Sequence, residues 1–291
     1  MRRTARRVLR ILVAVFAVLF ACGAYIYLTT PDVRPLRTAN PETSAFMELR
    51  AREARARGEK PRRVQRWVSY GRMSPQLVRA VLVTEDDAFW KHDGLDYQQI
   101  KESMEANLER GEFARGASTI TQQLAKNLYL SPSKNPVRKL RELLIARRLE
   151  AELSKQRILE IYLNVIEWGN GIYGAEAAAR TYFRKSAAQL TASESALLAA
   201  AIANPRLMNP GSPTARLRRR QQMVMRRMGA VEPPPVIVTV PSLSAEPFVL
   251  PGLEPVPALP PAAAPSGVPA VLPGQPVPPP KKPGGGGTGD R

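Results

Sequence analysis

The chain has 291 residues, 43 basic and 25 acidic, for a net charge of +18, with one histidine and one cysteine. A single cysteine excludes an intrachain disulfide and any cysteine metal cluster. The basic balance favours a polyanionic partner, and the apolar segment taken next turns that expectation toward membrane lipid headgroups or a membrane-held pyrophosphate and away from nucleic acid.

Residues 1–10 hold Arg2, Arg3, Arg6, Arg7 and Arg10. Residues 11–28, ILVAVFAVLFACGAYIYL, carry no charge and are long enough to cross a bilayer as a helix. Arginines on the N-terminal side place that side in the cytoplasm, so the remainder of the chain is expected outside. No A-x-A-like site follows, so the segment reads as a retained anchor and not a cleaved signal. Residues 29–66 form a basic juxtamembrane stretch, with a short charged helix over 46–60 whose arginines are either solvated or laid on headgroups.

The globular part is expected over 67–228, enough for one core. Its apolar spacing is helical nearly throughout, so the fold class is all-α. Ser74 and Pro75 start a helix with apolar residues at 77, 78, 81 and 82. Asp96 with Gln99, Thr119 with Gln122, and Thr191 with Glu194 are spaced as capping boxes. Further helices are expected over 136–153, 155–166, 174–183, 192–205 and 215–229. Two glycine-rich connections, 111–118 and 167–174, suit either plain turns or a close approach to a ligand. From 229 the composition changes: 18 of the 28 prolines lie between Pro233 and Pro283. Proline fixes φ and removes backbone donors, so 229–291 is expected to be a disordered tail or a Pro-rich docking segment.

Three segments hold candidate chemistry. EDDAFWKHDG, 85–94, places Glu85, Asp86 and Asp87 at the end of an apolar helix, where negative charge is unfavourable by about 0.3–1 kcal/mol. Glu85 lies on the apolar face, where burial would raise its pKa toward the range of a general base. Read alone, the segment is equally a helix end with surplus acids. GASTITQQLAKN, 116–127, concentrates hydroxyls, amides and a lysine, with Thr119, Gln123 and Lys126 on one helix face. Arg138, Lys139 and Glu142 form either a solvated surface ion pair or a phosphate clamp beside a second acid. The Ser-x-x-Lys string at 131–134 lies in a proline-containing loop without the companion motifs of an acyl-transfer site.

Together these segments resemble the peptidoglycan glycosyltransferases, glycosyltransferase family 51. The motif E-D-x-x-F-x-x-H-x-G is matched by Glu85, Asp86, Phe89, His92 and Gly94, the second by 116–127, and R-K-x-x-E by Arg138, Lys139 and Glu142. Residues 155–183 and 190–205 resemble the fourth and fifth. The resemblance implies a lysozyme-like helical domain that polymerises lipid II into glycan strands, inverting the anomeric carbon and releasing undecaprenyl pyrophosphate. It implies Glu85 as general base, with Lys126 and Arg138 on the pyrophosphate. Ser118, Thr119, Gln122, Gln123 and Asn127 would line the site, and Asp86, Phe89, His92, Gly94 and Lys139 would support it. For Glu142 it leaves open action at the leaving group or the positioning of a metal ion or cationic side chains. Some members of the family use a divalent cation such as Mg2+, for which this sequence has no independent signature. Partners implied are lipid II, the nascent strand, membrane lipids and other cell-wall synthesis or division proteins. No segment after 228 reads as a transpeptidase. A lysozyme-like lytic enzyme and an inactive membrane-anchored scaffold are the competing readings.

Overall fold

The computed structural model describes residues 2–110, 118–133 and 135–230. The glycine connection at 111–117, with Gly116 and Ala117 of the second motif, lies outside these residues, as do Lys134 and the Pro-rich tail from 231.

Helix α1 spans Arg2–Leu28, and its stretch Leu9–Leu28 is long and apolar enough to cross a membrane. The carbonyls at its C-terminal end, which a helix leaves without partners, are met by two arginines from a later helix, α6 (Pro136–Glu152). Arg148 donates to Tyr27 O at 3.1 Å and Thr30 O at 2.9 Å, and Arg141 donates to Thr29 O at 3.0 Å. The Arg148 guanidinium also stands 4.8 Å from the centre of the Tyr27 ring.

Helix α2 (Ala45–Ala56) starts at Ser44, whose hydroxyl accepts from Met47 N. Met47 and Ala54 are buried, and Val33, Leu36 and Met47 belong to the main core. The core therefore takes in residues upstream of the boundary expected at 67. Basic composition hid this. Arg50 does not stand free in solvent but pairs with Glu53 and with the buried Glu167, 3.0 Å away.

The body of the domain is helical, as the spacing predicts. Helix α3 (Pro75–Glu85) buries Leu77, Val78, Val81 and Leu82, and α4 covers Tyr97–Arg110. Helices α5 (Ile120–Tyr129) and α7 (Lys155–Val165) follow in one layer with α6. Helices α8 (Ala175–Phe183), α9 (Ala192–Ala201) and α10 (Ala215–Ala230) complete the described chain. Helix α9 packs on both α3 and α10. Its buried run Ser195-Ala196-Leu197-Leu198-Ala199-Ala200-Ala201 is mostly small, which lets both neighbours approach closely. Each Leu, Ile or Val fully buried in this core contributes roughly 1.5–3 kcal/mol.

The connection EWGNGIYG is a buried hairpin and not an open loop. Its strands β2 (Glu167–Gly169) and β3 (Ile172–Tyr173) pair antiparallel, and β1 (Val64–Gln65) joins β3 in parallel, giving the order β1-β3-β2. Strands of two or three residues show no readable alternation in sequence. Gly174 has φ 83°, and a Cβ there would lie 2.7 Å from Asn164 O, so only glycine fits between hairpin and α7. Asn164 in turn bonds both the N–H and the carbonyl of Val68 and accepts from Gln65, stapling the segment before α3 onto α7.

Candidate active site

The last residue of α3 is Glu85, and its Oε2 accepts from Gln123 Nε2 of α5 at 3.0 Å. Burial raises its pKa above the ordinary carboxylate range. The Gln123 hydrogen bond and the charges of Arg220 and Lys126 oppose that rise. Gln123 is itself held, since its Oε1 accepts from the hydroxyl of the fully buried Tyr162 at 2.8 Å. One turn along α5, Lys126 is half-buried, and among the described residues its amine makes no hydrogen bond or ion pair. Burial lowers its pKa, Glu142 opposes this, and Arg138 and Lys139 add to it. An amine without a partner among the described residues, flanked by acids and cations, is poised to meet an anion.

Asp86 ties two motifs together. Its Oδ2 accepts from Ile120 N at 2.8 Å, placing a carboxylate on the N-terminus of α5, where the helix dipole favours it. His92 Nε2 lies 3.0 Å from Asp86 Oδ1, and His92 Nδ1 accepts from Gly94 N at 3.1 Å. Because Nδ1 is an acceptor, the hydrogen sits on Nε2 and points at Asp86. Thr119 closes the same knot, donating to Gly94 O at 2.7 Å and accepting from Gln122 N. Gly94 has φ 83°, and a Cβ there would meet Glu150 Cγ at 2.9 Å. Phe89 is fully buried beneath the turn, with Lys155 Nζ 4.5 Å from its ring centre.

On α6, Glu142 is buried and grips two cations, Arg138 Nη1 and Lys139 Nζ, the latter at 2.5 Å. Lys139 reaches on to Gln122 Oε1 at 3.1 Å and Ser118 Oγ at 3.3 Å. The spacing at 119–122 predicts a full capping box, and only half of it forms. Thr119 caps Gln122 N, while the Gln122 side chain is spent on Lys139. Asn127 donates to Gln123 O, one turn back. Thr119, Gln122 and Asn127 are buried, so these three brace the site from beneath, whereas Gln123 and Lys126 face the acids. Ser118 meets Lys139. Asp87 is exposed and pairs with Arg227 of α10 at 3.3 Å.

A cavity of about 700 Å3 is lined by Glu85, Asp86, His92, Asp96, Gln99 and Arg227, among others. A second concavity of about 320 Å3 is lined by Tyr129, Asn135, Val137, Arg138 and Arg141. Glu85 borders the first and Arg138 the second.

The ligand-type atoms of Asp86, His92 and Asp96 lie within 4.8 Å of one another. They do not fit a metal ion. Both His92 nitrogens are engaged, Asp86 accepts two donors, and Asp96 Oδ1 caps Gln99 N at 2.8 Å. Glu142 is likewise neutralised by two cations and does not fit one either.

Sequence reasoning missed Tyr162, Arg220 and Arg227. The two arginines sit in a run of arginines on α10 with nothing to single them out. Tyr162 falls on the apolar face of α7, where the one available signal is a hydroxyl placed at a position that Phe would fill.

Residues 53–229 match the family model described as Transglycosylase. The chain is 48% identical over 196 residues to a biosynthetic peptidoglycan transglycosylase of Laribacter hongkongensis, covering 67% of this chain and 86% of that protein. It is 43% identical over 236 residues to the one of Chromobacterium violaceum, covering 80% and 100%. With that of Aromatoleum aromaticum it shares 52% over 167 residues, 57% of this chain and 73% of the relative.

Proposed function

The chain belongs to the transglycosylase family and is a glycosyltransferase of peptidoglycan synthesis, and from that premise we propose that it polymerises lipid II with Glu85 as the general base. Glu85 takes the proton of the acceptor sugar's 4-hydroxyl as that oxygen bonds to the anomeric carbon of the donor. The bond from that carbon to the pyrophosphate breaks with inversion, and the electron pair leaves on phosphate oxygen. The step yields a β-1,4 linkage and undecaprenyl pyrophosphate. A raised pKa suits the base, because it holds the proton well enough to take it from a hydroxyl.

Lys126, Arg138 and Lys139 face the charge that grows on the leaving group, and fixed cations in a half-buried site are the largest kind of catalytic contribution. Glu142 holds Arg138 and Lys139 in place, so its role is to position cationic side chains. On this reading the Glu85 cavity takes the acceptor and the concavity at Arg138 adjoins the leaving pyrophosphate. Arginines that precede the apolar stretch 11–28 put the domain on the extracytoplasmic face of the cytoplasmic membrane, where the lipid-linked substrate and lipid headgroups meet a basic surface. The Pro-rich segment beyond 229 suits docking of other cell-wall synthesis or division proteins.

The observation that carries the proposal is a pair of acids whose charges both act on Lys126, one acid bearing a raised pKa and the other saturated with cations. Glu85→Gln keeps the Gln123 contact and removes the base. With lipid II in detergent or bilayers it should form no glycan polymer while still folding. Polymer at near the wild-type rate would remove Glu85 from the role. Solubilised sacculi with lipid II untouched would mark a lytic enzyme instead.

A further inference from the structure

Tyr162 is fully buried on α7, at a position whose packing phenylalanine would satisfy. Its hydroxyl donates to Gln123 Oε1 at 2.8 Å, and Gln123 Nε2 donates to Glu85 Oε2 at 3.0 Å. A side-chain amide has two orientations that exchange oxygen and nitrogen. In the observed one, nitrogen faces Glu85, which must accept and is favoured as the carboxylate. In the reversed one, the carbonyl oxygen faces Glu85, which is then held only as the protonated acid donating its own O–H.

The tyrosine separates these two states, with help from a long contact in which Gln123 Nε2 donates to Ser118 O at 3.4 Å. Reversal would turn the amide NH2 toward the Tyr162 hydroxyl, whose hydrogen then has no acceptor among the described residues. A buried donor left unmet is costly. The hydroxyl cannot escape by ionising, since burial and the nearby Glu85 and Asp86 push its pKa well above the ordinary value. The other charged groups facing Glu85 do not distinguish the orientations. Lys126 on α5 and Arg220 on α10 favour the carboxylate in either case, and Asp86, which opposes it, spends its oxygens on His92 and Ile120.

We infer that Tyr162 is a positioning residue for the reaction: by donating to Gln123 Oε1 it locks the amide so that its nitrogen holds Glu85 as the base. The inference rests on the reading of Glu85 as the base and extends it to a third residue, on a separate helix, inside the stretch that resembles the fourth motif but given no role there.

The test is the pH–rate profile of lipid II polymerisation by the full chain in detergent. In Tyr162→Phe only the long Ser118 contact still opposes reversal, so the protonated form of Glu85 gains and the acidic limb moves up by about one pH unit. The high-pH plateau stays within a few-fold of wild type. 4-Aminophenylalanine at 162 keeps an N–H donor and should restore the wild-type limb. If the Phe variant folds poorly, 4-fluorophenylalanine fills the space without a donor and carries the same expectation. Gln123→Met should show a raised limb to which Tyr162→Phe adds nothing. An unmoved limb with a uniform loss of rate overturns the inference, as does a further shift from Tyr162→Phe in the Gln123→Met background. Glu85→Gln assayed alongside separates the two levels. Activity there removes the base assignment itself, whereas an inactive Glu85→Gln with an unmoved Tyr162→Phe limb removes only the role of Tyr162.

Discussion

Replacing Asp86 with alanine removes the acceptor of two buried donors at once, the Ile120 N–H at 2.8 Å and the His92 Nε2–H at 3.0 Å. Each unmet buried donor costs about 1–3 kcal/mol, and the carboxylate's interaction with the α5 dipole is lost as well. Asp86 borders the large cavity, which admits water to part of the wound, so the net loss is about 3 kcal/mol. For a domain of this size that lowers Tm by roughly 6–12 °C. The assay is thermal unfolding of the full chain in detergent, followed by circular dichroism. His92→Phe removes one of the two donors beforehand, so Asp86→Ala in that background should cost about half as much, a coupling readable in a double-mutant cycle. Activity should fall further than stability alone requires, because α5 carries both Gln123 and Lys126, and a shift of about 1 Å in a reacting group can cost 100-fold. A melt of Asp86→Ala within about 2 °C of wild type would refute the tie between the Glu85 turn and α5.

Gly94→Ala should destabilise the fold by about 1–2 kcal/mol, measured in the same melt, because φ is 83° and Glu150 is held by Thr121 and Lys155 and cannot swing away. Glu142→Gln should lower polymerisation by about 100-fold or more and stability by about 1–3 kcal/mol, since the pairing with the 41% exposed Lys139 is screened whereas Arg138, 17% exposed, loses a buried charge partner. The rate should be lost as pH falls through the raised pKa of Glu85 and as pH rises through the lowered pKa of Lys126. Both limbs of the pH–rate profile therefore lie inside the ordinary Glu–Lys span. A raised carboxylate pKa means that the folded state holds the proton more tightly than the unfolded one, so ionisation costs stability at neutral pH. Glu85→Gln should accordingly raise Tm. Arg141→Ala with Arg148→Ala should lower activity several-fold in bilayers more than in detergent, with Tm nearly unchanged, if the α1 contacts set the height of the site above the membrane.

The sequence alone was sufficient for whatever depends on local spacing. Helix starts at Ser74, Thr119 and Thr191 follow from cap chemistry, and the apolar run at 11–28 announces α1. The order of the motifs around Glu85, Lys126 and Glu142 was legible for the same reason, since each is contiguous along the chain. The three short strands were not legible, because two residues carry no period. Val33, Leu36 and Met47 went unnoticed as core because arginines surround them in the chain while their burial is decided by α5 and its neighbours.

Which polar residues face the cavity and which brace it from behind was decided by packing. Gln122 and Gln123 are adjacent and chemically identical, yet one is turned to Lys139 and the other to Glu85. Tyr162 is an aromatic core residue by its spacing, and only the approach of α7 to α5 gives its hydroxyl an acceptor. A side chain's chemistry is written in the sequence, but its partner comes from distant segments, as Gln123 does for Tyr162 and for Glu85.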